Sequence, residues 1–164
     1  AYLSVTNSEF SSPRENEALF GAARALYKLG RYDEALSLSN RVKIATLSTE
    51  HKNDFGVLKY NILYQLGDRL EALKTLIALT ESTTEEDKKE RYRIKALEYV
   101  ESILKENELQ VVASQSSYGF VRGHALYKVG LMYFEQRDYS RAESYFSDVI
   151  NLMPDTDFAQ SARN

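Results

Sequence analysis

The residues able to do chemistry are few and scattered. There are two histidines, His51 and His124, and no cysteine in the 164 residues. Neither histidine has a carboxylate or second histidine at a ligand spacing such as HExxH. The absence of cysteine removes thiolate metal sites, disulfides and thiol catalysis, and it suits an oxidising compartment as well as a reducing one. Gly119 and Gly123 are isolated glycines without the Gly-Lys-Ser/Thr that a phosphate loop needs. No serine sits in a nucleophile elbow. Glu85-Glu86-Asp87 pairs carboxylates, but Thr83-Thr84 precede it. That order is a helix start, where acidic side chains favour the helix dipole. No catalytic residue, metal or cofactor is therefore expected.

The abundant aromatic group is tyrosine, with twelve copies. Aromatic faces stack on bases only where basic residues track a phosphate backbone beside them. Net charge is −3 with both signs interleaved, so no nucleic-acid or membrane-surface field is built up. Most of the tyrosines recur at helical spacing, which reads as packing between helices. Tyr32, Tyr133 and Tyr139 are expected in that role.

Proline occurs only at Pro13 and Pro154, and glycine seven times, which favours continuous helix over turn-rich strand. No apolar run approaches the roughly 20 residues that span a bilayer. Ser12-Pro13-Arg14-Glu15 is a helix start with a cap and a first-turn proline. The helix runs through Leu19, Ala22, Ala23 and Leu26 to a left-handed stop at Gly30. Tyr32 and Ala35 open its partner. Ala1 to Ser11 is weakly patterned; Tyr2, Leu3 and Val5 could pack as the remnant of a preceding helix. A second pair carries Val57, Tyr60, Leu63 and Tyr64, turns at Gly67-Asp68, and returns through Ala72, Leu76 and Leu79. A charged third helix should bury Ile94, Leu97, Val100, Ile103 and Leu104, with its turn near Asn107. In the last pair, Leu126, Val129, Gly130 and Tyr133 face Tyr139, Ala142, Phe146 and Val149. Small residues there mark close approach, and Pro154 ends the pair.

Ala125 to Pro154 resembles the tetratricopeptide repeat, because its small, aromatic and proline positions fall in register. The resemblance implies an all-α solenoid of antiparallel helix pairs, about eight to ten helices wound as a right-handed superhelix. The expected layout is one domain, with units over about 13–48, 49–82, a degenerate 83–117 and 118–153, and a capping helix over 155–164. The chain reads as a fragment of a longer one. Tyr145-Phe146-Ser147-Asp148-Val149-Ile150, followed by Met153-Pro154-Asp155-Thr156-Asp157-Phe158-Ala159, is similar to repeats of bacterial envelope proteins. The layout is closest to the N-terminal helical domain of penicillin-binding-protein activator lipoproteins. That similarity implies a periplasmic scaffold, possibly anchored to the outer membrane through a segment absent here and followed by a second domain. A cytosolic adaptor or secretion chaperone is the alternative.

In this family the first helix of each pair lines a groove for a partner's peptide or helix. By register the groove residues are Phe20, Arg24 and Tyr27 in the first unit, Val57, Asn61 and Tyr64 in the second, and Tyr127, Leu131 and Phe134 in the last. Asn61 matches an asparagine of carboxylate-clamp members, but Phe20 and Leu58 stand where that clamp needs basic residues. An aromatic, nearly neutral groove suits an apolar peptide or a helix. The expected partner is a protein, with no nucleic acid and no membrane insertion.

Overall fold

The computed structural model describes residues 12–164, and the segment carrying Tyr2, Leu3 and Val5 lies outside them. The described residues are all-α. Nine α-helices pack as sequential antiparallel pairs: α1 Pro13–Lys28, α2 Tyr32–Ser39, α3 Thr49–Leu66, α4 Arg69–Ser82, α5 Glu86–Glu98, α6 Glu106–Ser114, α7 Arg122–Glu135, α8 Tyr139–Leu152 and α9 Asp157–Arg163. Short 3-10 turns cover Ile44–Thr46 and Ser116–Val121, and a π turn covers Tyr99–Ile103. The chain divides into two compact units, residues 1–75 and 76–164, with α4 running from one into the other.

In the first unit the start and stop of α1 follow from local chemistry. Ser12 Oγ accepts from Glu15 N at 3.3 Å, and Pro13 occupies the first turn, where its missing N–H costs nothing. The helix ends on Gly30 at φ +75°, with Gly30 N donating to Tyr27 O and Arg31 N to Leu26 O. This pair of bonds satisfies carbonyls that a helix end otherwise leaves orphaned. Gly67, also at φ +75°, closes α3 with the same two bonds, to Tyr64 O and Leu63 O. Phe20, Ala23, Ala35, Val42, Leu47, Phe55, Leu58 and Ile62 form the core of this unit. Each large side chain so buried contributes about 1.5–3 kcal/mol.

One fully buried polar residue ties that core to the loop after α2. Asn16 Nδ2 donates to Lys43 O at 3.3 Å and also to Thr46 Oγ1, and its Oδ1 accepts from Lys43 N at 3.1 Å. The amide thus meets the hydrogen bonds that its burial demands.

The second unit departs from the simple pattern at the π turn. Leu104 N donates to Tyr99 O, five residues back, in place of the usual four. Lys128 Nζ, from α7, donates to Val100 O and to Glu101 O, covering carbonyls that the widened turn leaves open. The extra residue rotates the apolar stripe. Ala96, Tyr99, Val100 and Leu104 are buried, whereas Ile94 and Ile103 are exposed, against the sequence expectation. The chain reverses at Leu104-Lys105, so Asn107 lies inside α6 and is not the turn residue. Glu108 accepts from Lys105 N at 2.8 Å to start α6.

Candidate functional site

The last hairpin is built by the same turn as the first two, with a different residue in it. Arg137 takes the left-handed conformation at φ +62°, Arg137 N donates to Phe134 O, and Asp138 N donates to Tyr133 O. Asp138 Oδ1 then accepts from Arg141 N and starts α8. Gly130 lets α8 approach α7 closely, since a Cβ there would stand 2.6 Å from Phe146 Cε1. Gly123 does the same for Met153 at the far end of α8, where its sulfur rests on the glycine.

Thr156 Oγ1 accepts from Ala159 N and caps α9. The helix seats Phe158 between His124, with ring centroids 4.4 Å apart, and Tyr127 at 5.1 Å. Tyr127 in turn meets Phe146 at 5.8 Å. Burial under this cluster holds the His124 imidazole below its ordinary pKa. Glu101 opposes that shift and Arg93 adds to it.

Beyond the seat of Phe158, α7, α8 and α9 enclose an open groove of about 700 Å³. Tyr127, Leu131 and Phe134 line it from α7, and Tyr139, Ala142, Phe146 and Ile150 from α8. Leu131, Phe134 and Tyr139 are exposed, the last two by 53% and 58%, although their rings lie 5.4 Å apart across the turn. Tyr139 is thus a groove wall and not the buried packing residue its spacing suggested. Glu143 and Arg163 also line the groove, and neither enters an ion pair among the described residues. Tyr133 faces the other way. It stacks on Tyr145 at 5.5 Å and accepts from Gln110 Nε2 on α6.

Three of the nine residues predicted by register, Tyr127, Leu131 and Phe134, therefore meet in one groove. Phe20 does not belong to a surface. It is buried against Phe55, at 5.8 Å, with the Arg24 guanidinium 4.6 Å from its ring centroid. The groove register put it outward, but α3 covers it and the core claims its ring. The other five also lie in the first unit. Arg24 and Tyr64 are exposed there, while Tyr27, Val57 and Asn61 are half-buried. Tyr27 lies 5.6 Å from Tyr32, and Tyr64 lies 6.1 Å from Tyr60. Sequence reasoning missed the α8 and α9 contributors. The i, i+7, i+11 run of Tyr139, Phe146 and Ile150 was the available signal. Among the described residues no cluster of His, Asp and Glu could hold a metal ion, and no helix is long and apolar enough to cross a membrane.

Two tetratricopeptide-repeat models match the chain, one over residues 2–46 and one over residues 124–156. The chain carries tetratricopeptide repeats. The second match opens at His124, spans α7 and α8, and closes on the Thr156 that caps α9. The groove is thus walled by one complete repeat and the helix that follows it. Tetratricopeptide repeats are protein-interaction scaffolds and typically not catalysts. Neither the curated proteins nor the solved structures yielded a match.

Proposed function

We propose that the last tetratricopeptide repeat docks an amphipathic helix of a partner protein in the groove between α7, α8 and α9. The observation that carries this reading is the pairing of two exposed ridges. Tyr127, Leu131 and Phe134 recur at i, i+4 and i+7 on α7, and Tyr139, Ala142, Phe146 and Ile150 at i, i+3, i+7 and i+11 on α8. Ridges of helical period accept another helix between them, as Phe158 of α9 already shows at one end of the same trough. An extended peptide, with side chains alternating every second residue, matches neither ridge. Glu143 and Arg163 add a polarity: the incoming helix should carry a basic side chain beside one and an acidic side chain beside the other.

A photo-crosslinking residue placed at Leu131 in cells, with a control at exposed Arg31 in the first unit, tests the site. The recovered partner segment should be helical, and Leu131→Asp with Phe134→Ala should weaken its binding by about 10–100-fold, the size expected of apolar anchors. Crosslinks confined to the control position, or equal binding by a folded double variant, would sink the proposal. Recovery of another helix of the same chain would show that the groove is filled from within.

We further propose that this scaffold serves the bacterial cell envelope, in peptidoglycan synthesis or envelope assembly. Support comes from the F-x-x-V-I…P-D-T pattern of Phe146 to Thr156 and from a composition without cysteine. Release of the native protein by osmotic shock would support a periplasmic place. Retention in the cytosolic fraction would favour the adaptor or chaperone reading.

A further inference from the structure

The groove has two walls of long helix and one of short helix. α9, from Asp157 to Arg163, contributes Ser161, Ala162 and Arg163, with Asn164 after it. It is seated chiefly by Phe158 on the rings of His124 and Tyr127 and by Ala159, which is fully buried. His124 is the one group in that seat that gains charge between pH 5 and 7. We propose that protonation of His124 unseats α9 and so widens the groove, making acidification a regulator of what the groove admits. The inference rests on the groove reading above.

The charges around the ring give the motion a direction. From the π turn Glu101 faces His124, and from α5 Arg93 faces it; from α9 the group against it is the uncharged Phe158 ring. On its own helix Lys128 is engaged with the carbonyls of Val100 and Glu101. An imidazolium at position 124 needs water or a carboxylate. The Phe158 ring supplies neither, while Glu101 attracts the cation and draws it off the aromatic seat. Burial works against charging the seated ring. The seated state is therefore unaffected above pH 6.5. It weakens as pH falls through 6.5 towards the lower pKa of the seated imidazole, at up to tenfold for each pH unit between them. His51, the other histidine, lies in the first unit against Phe20.

The test is a nuclear magnetic resonance titration of the whole chain from pH 7.5 to 5.0. Cross-relaxation between the Phe158 ring and Tyr127, and the helical carbon shifts of Ala159 and Ala162, should fall by half or more. Their midpoint should coincide with the His124 imidazole titration, below 6.5. His124→Phe, which keeps a ring without a proton to gain, should hold α9 seated throughout. His124→Gln provides a second non-titrating variant should the larger ring disturb packing. An unchanged α9 in the parent, or an equal loss in the non-titrating variants, would overturn the proposal. Because no partner is present, failure here leaves the groove reading to stand or fall on the Leu131 and Phe134 variants at pH 7.5.

Discussion

Gly130→Ala asks whether the α7–α8 contact is as close as the structure draws it. In an exposed helix interior this change stabilises by about 1 kcal/mol, because alanine loses less backbone entropy than glycine. Here the new methyl carbon would meet Phe146 Cε1 at 2.6 Å and Cδ1 at 2.8 Å, against an ordinary contact of about 3.5–4.0 Å. The ring must therefore retreat by about 1 Å. Tyr127 stands 5.8 Å away and blocks one path, which leaves the open groove as the way out. Overpacking of this kind costs about 1–3 kcal/mol, so the net effect is a loss of about 0.5–2 kcal/mol after the propensity gain. Urea unfolding followed by circular dichroism measures it. The midpoint should fall by several tenths molar at unchanged slope, given about 1–3 kcal/mol per molar for a domain of this size. Adding Phe146→Leu removes the clashing ring edge, so the double variant should be more stable than the sum of the single changes implies. If Gly130→Ala instead raises the midpoint, the helices stand farther apart than described and the reasoning fails.

Gly21→Ala is the matched control: nothing lies within 4 Å of its added carbon, so it should stabilise the chain by about 1 kcal/mol in the same urea titration. Arg137→Gly relieves a left-handed arginine on an exposed turn and should raise the melting temperature slightly, through about 0.5–1 kcal/mol, with no change in helical content. Asn16→Ala strands Lys43 N and removes the bridge to Thr46. A loss of about 2–3 kcal/mol in thermal unfolding is expected.

The parts of the fold legible in sequence were those governed by neighbours along the chain. Ser12, Gly30 and Gly67 each act within four residues of themselves, and each behaves as its type and position predict. The small residues that follow each well-formed turn are equally local in their logic. Ala35, Ala72 and Ala142 stand at the same distance beyond Gly30, Gly67 and Arg137, and all three are buried. What could not be read depended on partners far along the chain. The π turn is held in part by Lys128, 28 residues beyond the carbonyl of Val100. Without that cation a regular helix through Ile103 is the simpler expectation, and the stripe drawn on it came out rotated. Asn16 looked like one more polar residue of α1 because Lys43 and Thr46 are remote in sequence.

The same distinction explains the candidate site. A register argument assigns the outward positions of α7 correctly, since α8 fixes which side of α7 is inward through Gly130 and Phe146. It fails at Phe20, where the same register position in α1 meets Phe55 of the next helix and is covered. Position within a repeat thus sets only the direction in which a side chain points. Whether that direction ends in core or in groove depends on how far the following helix extends over it. Over α7 that helix is α9, whose aromatic contact reaches His124 and Tyr127 and leaves Leu131, Phe134 and Tyr139 exposed. The binding surface is consequently a property of two successive elements, and it begins where the second stops covering the first.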